Sequence, residues 1–100
     1  MSEAALTGTR SEDLTGTRVV RLRIPARFEY VGLARLAIGG LAHVAGLEAG
    51  ELADLKLALT EVVSDSLCAA DGAGHVSITY ELSAVALTID VDGTIIRQPR

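Results

Sequence analysis

The sequence predicts an α+β fold, a two-layer sandwich in which two helices cover one face of an antiparallel sheet, and two periodicities carry that prediction. Val20, Leu22 and Ile24 alternate with Arg21 and Arg23, and near the other end Val76, Ile78, Tyr80 and Leu82 and then Val85, Leu87, Ile89 and Val91 alternate with smaller or polar residues. That is the period of strands with one dry face. Between them, from Phe28 to about Ala45 and from about Ala49 to Ala69, apolar residues recur at helical spacing. The order strand, helix, helix, strand, strand is that of an α+β sandwich.

Residues 1–17 are rich in Ser, Thr, Gly and acids and echo themselves once, in Leu6-Thr-Gly-Thr-Arg10 and Leu14-Thr-Gly-Thr-Arg18. Two copies build no repeat architecture and this composition buries no core, so a disordered tail is expected there. The domain proper is expected over residues 18–93. Pro25 stops the first strand. Gly46 is placed to end the first helix. Gly39 and Gly40 inside that helix cost roughly 1 kcal/mol each relative to Ala, which predicts a kink or a close backbone approach. Glu48 and Glu51 stand at the positive end of the second helix, where acids are favoured. Asp71-Gly-Ala-Gly74 reads as a loop. Only Ser83 and Ala84 separate the last two strands, which predicts an antiparallel hairpin. Residues 94–100 show no pattern and read as a short tail.

One hundred residues make one domain, and 49% hydrophobic content with only 3% aromatic residues and no Trp describes an aliphatic core. It also argues against an aromatic platform for single-stranded nucleic acid. The net charge is −4, with eight Arg and one Lys, so no direct nucleic-acid partner is expected. The first third is locally basic through Arg10, Arg18, Arg21, Arg23 and Arg27. The second is acidic through Glu48, Glu51, Asp54, Glu61 and Asp65, a dipolar distribution suited to pairing with itself or with a protein partner. Cys68 is the single cysteine, so no internal disulfide forms; it is expected in the core and in a reducing compartment. The start of the chain lacks the charged-then-apolar pattern of a signal peptide, and the apolar stretches are too broken to span a membrane. A cytoplasmic protein is the expectation.

The most informative stretch is Asp54-Leu-Lys-Leu-Ala-Leu-Thr-Glu-Val-Val-Ser-Asp65. It sets Glu61 and Asp65 one helical turn apart on one face, while Leu55, Leu59 and Val62 point elsewhere. Like charges that close repel, so the pair gains nothing unless its face is wet or a cation sits between the acids. A solvated helix face is the plain alternative. With Leu57, Ala58 and Cys68 on the same side, the helix reads as largely buried and the two acids as lining a cleft between it and the C-terminal segment. His43 and His75 have no second His or Cys at ligand spacing, so no metal site is expected at either.

Phe28-Glu-Tyr-Val-Gly-Leu-Ala-Arg-Leu36, Asp54-Leu-Lys-Leu-Ala-Leu-Thr-Glu61 and Gly74-His-Val-Ser-Ile78, in that order and spacing, resemble the anti-sigma factor serine-protein kinases of the histidine-kinase and Hsp90-like ATPase superfamily. The resemblance covers about residues 19–92. It implies a histidine kinase-like ATPase fold holding ATP and Mg2+ between helices and sheet, phosphoryl transfer to a serine of an anti-anti-sigma protein, a sigma factor as second partner, and a homodimer. Glu61 falls on the family's glutamate, thought to act as base toward the hydroxyl nucleophile. Asp65 falls where the family has its magnesium-holding asparagine. The first helix, with Tyr30, Arg35 and the small residues around Gly39 and Gly40, looks like part of the protein-binding surface, Arg and Tyr being frequent interface anchors.

The chain departs from the family in three places. Asp65 adds a charge that asparagine lacks, although its oxygens can ligate magnesium. The family's Asp-x-Gly-x-Gly box, whose aspartate reads adenine, has no full register here: Gly93 falls on the aspartate and Asp92, the nucleotide-binding candidate, comes one residue early. The family's lid and later elements come beyond the length seen here, and without a lid a site does not close over triphosphate. These departures predict weak or absent ATP binding. The leading expectation is an anti-sigma-like regulator that binds a sigma factor, an anti-anti-sigma protein or both; an active serine kinase and a non-enzymatic dimerising fragment are the alternatives.

Overall fold

The computed structural model describes residues 6–7 and 17–100. Along them run β1 (Leu6–Thr7), β2 (Arg18–Pro25), a single 3-10 turn (Phe28–Tyr30), α1 (Val31–Ala45), α2 (Ala49–Ala70), β3 (His75–Leu82), β4 (Ala86–Val91) and β5 (Thr94–Pro99). The strands form one antiparallel sheet in sequence order, and the helix pair is inserted between β2 and β3. The predicted α+β sandwich is what the chain adopts. No described helix is long and apolar enough to cross a membrane.

Alternation decides which sheet face is dry. Leu22 and Ile24 of β2, Val76, Ile78, Tyr80 and Leu82 of β3, and Leu87, Ile89 and Val91 of β4 are all buried, while Arg21, Arg23, Ser77 and Glu81 face water. The helices complete the core with unequal side chains. α1 contributes mainly Ala34, Ile38, Ala42 and Ala45, and α2 contributes Leu55, Leu59, Val63 and Leu67, one per turn. Small residues on α1 leave room for the one large aromatic in the core. Tyr80 is fully buried, and its hydroxyl donates to the Ala34 carbonyl at 3.0 Å, so its polar end is satisfied inside an otherwise apolar layer.

The ends of the helices follow local rules. Gly46 takes the left-handed conformation, φ 77°, that closes α1, as its position in the sequence predicts. At the start of α2, the Glu51 carboxylate accepts the Glu48 N–H at 2.9 Å. α2 ends on Asp71 and Gly72, both with positive φ.

Several expectations are corrected. Residues 94–99 are no tail: they pair with β4 along its whole length. The cause is local. Asp92 and Gly93, with φ 48° and 97°, form the two-residue left-handed turn whose twist matches that of the flanking strands. Val85, expected to face the core, is 64% exposed, because β4 starts only at Ala86 and Val85 belongs to the connection. Ser83 organises that connection, its hydroxyl accepting the N–H groups of Val85 and Ala86 at 3.2 Å each. α1 runs without interruption through Gly39 and Gly40, and no backbone closes on either; a side chain at Gly39 would meet only the Lys56 stem, at 4.0 Å. The disordered tail expected over residues 1–17 lies outside the described residues except at Leu6–Thr7, which pair with Leu22 and Arg21, and at Thr17.

Candidate functional site

α2 presents Glu61 and Asp65 on the side turned away from its buried stripe. Since Leu55, Leu59, Val63 and Leu67 take the face toward the sheet, residues two positions on from them point outward. Both carboxylates are exposed, and among the described residues neither makes a hydrogen bond or an ion pair. Leu57, on the same side, is 61% exposed, and Cys68 is exposed too, which corrects the expectation of a core cysteine and of a largely buried helix. The physical reason is that α2 carries apolar side chains on two faces and the sheet covers only one. Exposure also holds the like-charge pair in water, where its repulsion is small.

A cleft lies elsewhere. It encloses about 630 Å³ at the end of the sheet where β2 gives way to the 3-10 turn, between Ala26, Arg27, Phe28 and Glu29 on one side and Leu67, Cys68, Asp71 and Gly72 on the other. It thus opens beside the last turn of α2, and neither Glu61 nor Asp65 lines it. Both acids, expected to line a cleft between α2 and the C-terminal segment, are exposed and stand outside this one.

Asp92 has a different occupation from the one its sequence position suggests. Its carboxylate accepts the Ser77 N–H at 3.2 Å while its own N–H donates to the Ser77 carbonyl at 3.1 Å. A carboxylate already committed to the first residues of β3 is poorly placed to read an adenine amino group. Asp90 plays a related part, accepting the Gly93 N–H at 2.7 Å. The Asp-Gly pair was open to reading as a hairpin turn from the sequence alone, being flanked by Val91 and Ile95.

The magnesium question divides in the same way. Asp65 offers hard oxygen donors with no protein partner, and magnesium is commonly held by one or two carboxylates with water and substrate phosphates completing its shell. No group of three or more His, Cys, Asp or Glu side chains able to hold a metal ion comes together among the described residues.

On α1, Arg35 is exposed and its Nη1 donates to the Thr60 hydroxyl at 3.1 Å, bracing α1 against α2; that hydroxyl in turn donates to the Lys56 carbonyl at 2.8 Å. Tyr30 is half-buried and leans on the core edge. Leu36, 72% exposed, stands on the same helix as Arg35.

No family model matches the chain. Among curated proteins, the serine-protein kinase RsbW of Listeria innocua is 32% identical over 75 residues, covering 72% of this chain and 48% of that protein. RsbW of Bacillus subtilis is 36% identical over 64 residues, 61% of this chain and 40% of that protein. RsbW of a Listeria monocytogenes strain is 34% identical over 64 residues, with 61% and 41% covered. The chain is a relative of the anti-sigma factor serine-protein kinases. This RsbW relative spans less than half the length of the curated proteins it matches. Its two-layer architecture is that of the sheet-and-helix part expected of a histidine kinase-like ATPase fold.

Proposed function

We propose that this protein is an anti-sigma factor-like regulator acting in the cytoplasm, binding a sigma factor, an anti-anti-sigma protein or both, with weak ATP binding. Its kinship with RsbW kinases supports the reading. The observation that carries it is the contrast between two surfaces. The outer face of the helix layer offers exposed Arg35, Leu36 and Leu57, side chains suited to a protein contact, whereas the Asp92 carboxylate accepts the Ser77 N–H in a hairpin turn. Tyr30, at the base of α1, would set the angle of this surface from the core edge rather than contact a partner with its whole ring.

A second reading is favoured by one observation. Glu61 is free of protein partners on an accessible helix face and, by the resemblance, matches the kinases' base, so an active serine kinase acting on an anti-anti-sigma protein is the alternative. Asp65 would then hold Mg2+ and ATP would supply the phosphoryl group. A homodimer, with or without kinase activity, is compatible with either.

The test is binding of purified sigma factors and anti-anti-sigma proteins to the chain and to two variants. Arg35→Glu reverses the charge of the proposed contact and removes the bond to Thr60; Thr60→Ala removes only that bond. Capture lost with Arg35→Glu and kept with Thr60→Ala is expected. Equal capture by all three proteins removes α1 from the partner-binding account.

A further inference from the structure

β5 differs in kind from the strands beside it. β3 and β4 each bury most of their inward side chains completely, whereas no residue of β5 is buried. Ile95 is 57% exposed, and Ile96 alone packs, half-buried, against the core. The strand bonds to β4 on one edge and to no other described strand on the opposite one. With so little apolar burial, β5 rests on its ladder and on whatever fixes its two ends.

Both ends are fixed by specific contacts. At the start, the Asp92–Gly93 turn is tied down by Asp90 and by the paired bonds between Asp92 and Ser77. At the far end, Arg100 makes three bonds to two different elements: its N–H donates to the Val85 carbonyl at 2.9 Å, Nη1 to the Ser83 carbonyl at 2.7 Å, and Nε to the Ala45 carbonyl at 3.3 Å. The last of these lies at the negative end of α1, where a cation is favoured. One guanidinium thus joins the β3–β4 connection to α1 and holds the strand between them.

We propose that β5 is a detachable strap: Arg100 is its latch, the Asp92–Gly93 turn is its hinge, and residues 94–99 open as one local unit. Opening uncovers the hydrogen-bonding edge of β4 and the core flank under Ile96 while the rest of the sheet stays folded. The hinge remains anchored because its bonds run to β3 and β4 and not to β5.

Amide hydrogen exchange on the full chain tests this, with Arg100→Ala and the control Arg97→Ala, an exposed residue on the same strand whose side chain makes no bond to another described residue. In the unaltered protein, the amides of Thr94, Ile96 and Gln98, which face Val91, Ile89 and Leu87 across the ladder, are expected to exchange together and faster than the ladder amides of β3. Loss of the two side-chain bonds of Arg100 should accelerate them about thirty-fold further, the two bonds together being worth about 2 kcal/mol net, and leave residues 75–82 unchanged. Arg97→Ala should leave both regions unchanged. The strap is overturned if the amides of Thr94, Ile96 and Gln98 exchange at the β3 rate, if Arg100→Ala accelerates all strands equally, or if Arg97→Ala acts as Arg100→Ala does.

Discussion

Removing the Tyr80 hydroxyl isolates one bond between the sheet and α1. Tyr80 is fully buried, and its hydroxyl donates to the Ala34 carbonyl, 46 residues away in sequence, at 3.0 Å. In Tyr80→Phe the ring still fills its place, and the Ala34 carbonyl keeps the bond that an α-helix gives it from the residue four positions on, so no polar group is orphaned. The loss is then the net worth of one hydrogen bond, about 0.5–1.5 kcal/mol. Tyr80→Ala adds an aromatic-sized cavity and should cost about 3–5 kcal/mol, a large part of the roughly 5–15 kcal/mol that holds a domain of this size. Urea unfolding followed by circular dichroism measures both, and Tm should fall by about 4–8 °C per kcal/mol. Burial also pushes the Tyr80 phenol well above its ordinary value, since the ionised form would be stripped of water. The folded state therefore holds its proton when the unfolded chain has lost it. Stability from this group is complete below about pH 10 and declines as pH rises above it, by up to about 1.4 kcal/mol per unit. Tyr80→Phe should flatten that decline. A Phe variant as stable as the parent, with an unchanged alkaline profile, would refute the account of Tyr80 as a bonded pin.

Calorimetry with Mg-ATP should show weak or undetectable binding, because the Asp92 carboxylate is held by the Ser77 N–H; micromolar affinity would make the kinase reading the leading one. Gly93→Ala places a side chain at φ 97°, in a turn with open space around it, so the penalty is conformational and not steric. A loss of about 1 kcal/mol or more in the urea midpoint is expected, with β5 the region most affected.

Most of the fold was legible because its signals are local. The alternation of Leu22 and Ile24 with arginines, the helical spacing across residues 31–45 and 49–70, and Gly46 at a helix end each follow from backbone geometry within a few residues. The Asp92–Gly93 turn is equally local, and with it the existence of β5; a six-residue strand without a buried side chain simply has no strong pattern of its own. Glu61 and Asp65 share a face because four residues make about one turn, and that too is a property of sequence. Which way the face points is not. α2 offers Leu55, Leu59, Val63 and Leu67 on one side and Leu57 with Cys68 on another, and only the position of the sheet decided that the first set is buried and that the acids meet water. The bonds of Tyr80 to Ala34 and of Arg100 to Ala45 and Ser83 join residues far apart in the chain, and no periodicity encodes them, since a contact between elements exists only once both have packed.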